Sequence, residues 1–112
     1  MKDIINIDEF KKVDIAVGKI LSVERVPETD KLLKLSVDLG EGSPRTIVSG
    51  IAEYFPDSSA LVGKKCMFVA NLEPRTIRGI DSQGMILAVA TEDGKFSLLE
   101  PSSDLPPGAR AR

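Results

Sequence analysis

A mainly β fold, a small five-stranded barrel with short helices and a C-terminal extension, is predicted by three observations. Apolar residues recur at every second position in several stretches, most regularly at Leu33, Leu35, Val37 and Leu39, which is the period of a half-buried strand. Turn-forming clusters, GEGSP at residues 40–44 and the Asp93-Gly94 pair among them, separate these stretches as a meander of hairpins needs. Only two short segments, near the N-terminus and after Gly50, have a helical pattern. At 112 residues the chain fits one domain, 1–112, long enough to bury a core without disulfides or metal.

Taken in order, Ile5 to Val13 reads as a short helical lid. Asn6 caps its first turn, Glu9 reaches back from the third position and Ile5 staples onto Phe10. Lys11 and Lys12 then fall in the last turn, where positive charge suits the helix dipole. From Val13 to Val26 the odd positions Val13, Ile15, Val17, Leu21 and Val23 are apolar, and Gly18 is a natural bend in a long strand. Pro27 to Asp30 forms a loop. Lys31 to Leu39 is the second strand, with Lys34, Ser36 and Asp38 opposite the leucine face, and Leu32 breaks the pattern. A third strand runs from Arg45 to Ser49.

The segment IAEYF after Gly50 reads as helical and ends at Pro56. Asp57, Ser58 and Ser59 form a capping turn, because no base stands near to activate a serine. The fourth strand, CMFVA at residues 66–70, places Cys66 as a small buried hydrophobe instead of a reactive thiol. Residues 71–88 form a polar loop leading into a strand from Gly84 to Thr91. Asp93-Gly94 turns that strand onto a partner from Phe96 to Leu99. Pro101, Pro106, Pro107 and Gly108 make an extended tail that docks or stays loose. Short strands around one late helix describe a partly open OB barrel, a fold that handles oligonucleotides and oligosaccharides on one face and its loops.

Histidine is absent, which excludes serine-histidine triads, cysteine-histidine dyads and histidine metal sites. No carboxylate pair stands at a readable spacing, so the chain reads as a non-enzyme with no cofactor, metal or small-molecule substrate. One cysteine and no disulfide framework suit a reducing compartment. With no apolar leader or long apolar run, the expected location is the cytoplasm, away from membranes. Fifteen Lys+Arg against 17 Asp+Glu leave a net charge of -2, so any nucleic-acid binding must come from a local patch.

That patch is sought in residues 71–88, NLEPRTIRGIDSQGMILA. Arg75, Arg78, Ser82 and Gln83 offer guanidiniums, a hydroxyl and an amide, suited to phosphate oxygens and sugar hydroxyls; the alternatives are solvated charges for the two arginines and closure of the turn before Gly84 for Ser82 and Gln83. Met85 reads by default as a core residue, with an adaptable thioether packed against a base or sugar as the alternative. Lys31, Lys34 and Arg45 are candidates for an adjoining face, with a merely solvated face as the alternative for Lys34.

At DKLLKLSVDLG, RTIVSGIAEYF, LVGKK and NLEPRTIRGIDSQGMILA the chain resembles the tRNA-binding domain family. Its members stand at the C-terminus of many methionyl-tRNA synthetases or alone as structure-specific tRNA-binding proteins. The resemblance runs from about Phe10 to the C-terminus. It implies an OB barrel that binds tRNA by shape, without catalysis and commonly as a homodimer, holding tRNA for methionyl-tRNA synthetase in cis or as a separate subunit. Position by position it implies tRNA contacts at Asn71, Arg75, Arg78, Ser82, Gln83 and Met85, with Lys31 in the Asp-Lys-Leu element. The chain departs from the family pattern at Glu73 and Thr76, where a basic residue is frequent, and at Ala16, where an arginine is. A sister branch implies the alternative, a dimeric chaperone-like or scaffold protein-interaction module. The acidic balance suits that alternative, and the paired arginines argue against it, because peptide grooves need apolar pockets.

Overall fold

Three consecutive antiparallel strands build the first half of the barrel. In the computed structural model, which describes residues 1–112, these are β1 (Ile15–Arg25), β2 (Leu33–Asp38) and β3 (Arg45–Ser49). Strand β2 carries the predicted alternation without a break. Leu33, Leu35, Val37 and Leu39 are buried, and Lys34, Ser36 and Asp38 are half-buried on the other face. Each such leucine or valine contributes about 1.5–3 kcal/mol by leaving water. Two 3₁₀ turns, Ala52–Tyr54 and Ser58–Leu61, replace the predicted helix after Gly50. The Asp57 carboxylate caps the second by accepting from the Ser59 N–H.

Strand β4 (Lys65–Val69) returns along the first half of β1, from Lys19↔Lys65 to Ile15↔Val69, while β2 holds the second half from Lys19 to Arg25. A hairpin follows, β5 (Arg75–Ile77) and β6 (Ile80–Ser82). Then β7 (Met85–Ile86) pairs outside β4, which makes the sheet order β3-β2-β1-β4-β7. β8 (Ala88–Ala90) and β9 (Phe96–Leu98) form the last hairpin, around Asp93-Gly94 as predicted. Because β6 and β7 also lie against β3, the sheet curls into a nearly closed, OB-like barrel. One core fills it, with Ile20, Leu33, Leu35, Ile47, Leu61 and Phe68 fully buried.

Strand β1 departs from its predicted phase. Ala16 and Ile20 enter the core while Leu21 is exposed, and the β1–β2 register shifts between Ile20 and Ser22. An extra residue at Leu21 forms a bulge there, which bends the strand and moves later side chains to the other face. Val23 therefore turns back toward the core. The bulge supplies the bend that Gly18 was expected to make. Gly18 is instead a matter of space, since a Cβ there would lie 2.6 Å from Phe68 Cδ1 and 2.7 Å from Val37 Cγ1.

The helix α1 spans Ile7–Phe10 and has the predicted capping box between Asn6 and Glu9. It buries no residue and has no basic residue in its last turn, since Lys11 is already its C-cap. It is therefore not a lid, and Ile4, Ile5, Ile7 and Phe10 all stand exposed. No helix is long and apolar enough to cross a membrane. The tail docks on the stretch of β1 that β2 leaves free. The Val17 N–H donates to Ala109 O at 2.9 Å, Gly108 N–H to Val17 O at 2.8 Å and Ala111 N–H to Ile15 O at 2.8 Å. An Arg110–Asp14 ion pair at 2.7 Å lies beside them.

Candidate functional site

The stretch expected to be a loop is a hairpin, and this decides where its side chains go. Its register is Arg75↔Ser82, Thr76↔Asp81 and Ile77↔Ile80, so Arg78 and Gly79 are the two turn residues. Both have positive φ, 52° and 77°, as a two-residue type I′ turn requires. A non-glycine residue in this region costs about 1–2 kcal/mol, so Arg78 is held at the tip against its own preference. Thr76 Oγ1 donates to Asp81 Oδ1 at 2.8 Å across the hairpin, which turns that carboxylate onto its own strand pair.

Below the tip, the hairpin is fastened to β3 by its own polar side chains. Gln83 N–H donates to Thr46 O at 2.8 Å and Gln83 Oε1 accepts from Thr46 N–H at 3.1 Å. Ser82 Oγ accepts from Val48 N–H at 2.9 Å. Ser82 is only 4% exposed, and its hydroxyl is engaged in closing the barrel wall. The Gln83 side-chain NH₂ remains without a partner within the chain, at the surface.

Arg45 and Asn71 are likewise already engaged. The Arg45 guanidinium meets Glu41 through two bonds, Nε to Oε1 at 2.7 Å and Nη2 to Oε2 at 2.6 Å. Its Nη1 donates to the carbonyls of Ala70 and Gln83. The hydrogen bond from Arg45 holds the Glu41 carboxyl below the usual glutamate range. Arg45 thus clamps the start of β3 to both ends of the hairpin segment. Asn71 accepts from Asp14 N–H and donates to Lys12 O, tying the chain after α1 to the end of β4. Cys66 lies in the core, where burial pushes its thiol up to about 11, so it stays neutral and inert.

The remaining candidates are free. Lys31, Arg75 and Arg78 are exposed, Lys34 is half-buried on the outer face of β2, and none of the four makes an ion pair. Met85 is 47% exposed beside the base of the hairpin. Two of these residues meet. Arg78 reaches the β1–β2 loop, and together with Glu28, Thr29, Asp30, Lys31 and Leu32 it lines a cleft of about 410 Å³. Two unpaired cations there face a pair of carboxylates, and Thr29 Oγ1 is spent on Val26 O at 2.8 Å. Glu28 and Asp30 were not singled out from the sequence, although their place beside Lys31 in a Pro-containing loop was a sufficient signal. The cleft holds no nucleophile with a base, and no cluster of possible metal ligands occurs in the chain. Its two cations can grip an anionic oxygen, and its two carboxylates oppose them.

Comparison with known proteins follows the same lines. Residues 15–110 match the family described as "Putative tRNA binding domain". Methionine–tRNA ligase of Myxococcus xanthus is 51% identical over 108 residues, which is 96% of this chain and 15% of that protein. The chain spans about one sixth of the length of the curated relatives it matches. Among solved structures, the MetRS related protein from Pyrococcus horikoshii superposes with a TM-score of 0.89 at 42% identity, covering 99% of this chain and all of that one. The CsaA chaperone protein from Picrophilus torridus superposes with a TM-score of 0.86 at 30% identity, over 97% of this chain and all of that one.

Proposed function

The chain belongs to the tRNA-binding domain family, and from that premise we propose that it grips folded tRNA without catalysing a reaction, in the cytoplasm and in the service of methionyl-tRNA synthetase. The observation that carries this reading is that Lys31 and Arg78 line one cleft. Both are unpaired, and they converge between the β1–β2 loop and the hairpin that precedes the last barrel strand. These are the loops through which OB barrels hold oligonucleotides. Arg75, the Gln83 amide and Met85 flank the same hairpin, and Lys34 adds charge on the β2 face. Fork-shaped guanidiniums suit phosphates, and the deep groove of an A-form helix is closed to side chains, so shape is what such a surface reads.

A net charge of -2 makes a single site weak, and two copies joined into one surface offset that. The exposed apolar side chains Ile4, Ile5, Ile7 and Phe10 are the surface through which two copies meet. A protein-interaction role is the second reading, favoured by the likeness to a CsaA chaperone at 30% identity.

A mobility-shift titration separates the two. Folded bulk tRNA, heat-unfolded tRNA and single-stranded DNA are compared at low and moderate salt, with Arg78→Glu and Lys31→Glu alongside. Salt-sensitive preference for folded tRNA, weakened about tenfold or more by either variant, is the expected result. Equal binding of all three nucleic acids, or variants that bind like the parent, would move the assignment to protein binding.

A further inference from the structure

Of the chain's four phenylalanines and single tyrosine, Tyr54, Phe55 and Phe96 gather at one place that the tRNA reading does not use. The Tyr54 and Phe96 rings are stacked, with centroids 4.0 Å apart and planes 5° from parallel. Phe55 meets Phe96 edge-on at 5.9 Å. These rings line a cleft of about 410 Å³ together with Lys64, Ser97 and Glu100. Phe55 and Phe96 pack against the core. Tyr54 does not, and it is 39% exposed with no hydrogen bond from its hydroxyl to the rest of the chain. The stack therefore extends outward from the core, past what closing the barrel requires.

We propose that this cleft is a second subsite of the RNA surface, in which one unpaired nucleobase extends the Tyr54–Phe96 stack and its phosphate meets Lys64. The proposal rests on the tRNA reading above. Base stacking on an exposed aromatic ring is favourable for every base. Lys64 is free to take a phosphate, because its 3.4 Å contact with Glu100 joins two side chains that are 39% and 45% exposed, and such pairs contribute little. The loops that carry the two clefts are tied together by hydrogen bonds, although the clefts have no lining residue in common. Ala52 N–H donates to Lys31 O at 2.9 Å, two residues before Tyr54, and Arg25 Nη2 donates to Phe55 O at 3.3 Å from the strand beneath. The segment that carries Tyr54 and Phe55 is thus fastened to the loop that carries Lys31. An aromatic side chain of a polypeptide would also stack, but Lys64 beside the rings offers a phosphate partner that a peptide backbone does not use.

The test uses an RNA stem-loop with the fluorescent adenine analogue 2-aminopurine in an unpaired 3′ extension, and the same stem-loop blunt, with the analogue paired. The protein should quench the unpaired analogue and leave the paired one unchanged. Tyr54→Leu should bind the extended RNA about tenfold more weakly and the blunt RNA as before, with Tyr54→Phe restoring both quenching and affinity. Quenching that survives Tyr54→Leu, or equal weakening for the two RNAs, overturns the subsite. If Arg78→Glu weakens both RNAs and Tyr54→Leu weakens neither, the tRNA reading stands and the subsite falls. If neither RNA binds, both fall. Tyr54 is the only tyrosine and tryptophan is absent, so intrinsic emission adds another control. A response to an unfolded aromatic peptide and none to RNA would give the cleft to polypeptide.

Discussion

Ser82 and Arg78 lie four residues apart, and the structure gives them opposite tasks. The Ser82 hydroxyl is the acceptor for the Val48 N–H at a place where the serine is 4% exposed. Ser82→Ala leaves that donor buried without a partner, at a cost of about 1–3 kcal/mol. Denaturant unfolding should read this loss, while tRNA affinity measured well below the transition stays at the parent value. A fall in affinity with no loss of stability would mean that the hydroxyl reaches a ligand after all. Arg78, in contrast, occupies a backbone conformation that glycine would fill at lower cost, so its side chain is retained at some expense to the fold. That is the pattern expected where a residue serves binding more than stability.

Among the elements, β2 was the most legible because it keeps one face in the core and the strand period is two. β1 was not, since the bulge at Leu21 reverses the phase without leaving a glycine or proline to announce it. The β5–β6 hairpin was hidden for a related reason: its turn is Arg78-Gly79, where asparagine or aspartate before glycine is the usual signal. Of the expected contact residues, Arg75, Arg78, Lys31, Lys34, Gln83 and Met85 retain a free polar group or exposed surface. Arg45, Asn71 and Ser82 are spent on backbone partners that sequence order does not reveal. The Tyr54–Phe96 stack joins residues far apart in the chain, so no local pattern could show it. The tail was expected to dock or stay loose, and Gly108 tests its docking. With φ of 92° and a would-be Cβ 2.9 Å from Leu39 O, Gly108→Ala should cost about 1–2 kcal/mol. Hydrogen exchange at the Val17 amide, which donates to Ala109 O, should then quicken about tenfold while the Leu35 amide in β2 keeps its protection. Equal acceleration at both would assign the effect to the whole barrel.

For the molecule as a whole, an acidic protein with two unpaired cations in one cleft gains most by acting in pairs. Phe10→Glu, on the exposed apolar face beside α1, should shift sedimentation from dimer toward monomer and lower tRNA affinity by about tenfold or more. A parent protein that sediments as a monomer at every concentration would remove dimerisation from the mechanism. The docked tail has a further effect, on the order of events in folding. Asp14 and Arg110 are 96 positions apart, and the backbone groups of residues 15–17 take partners from residues 108–111. Contacts of such separation place a small barrel among chains that fold in milliseconds to seconds, not microseconds. During synthesis β1 emerges before residues 108–111, so until those leave the ribosome this part of its edge has no partner, and in that interval it is a strand open to pairing with any other nascent chain.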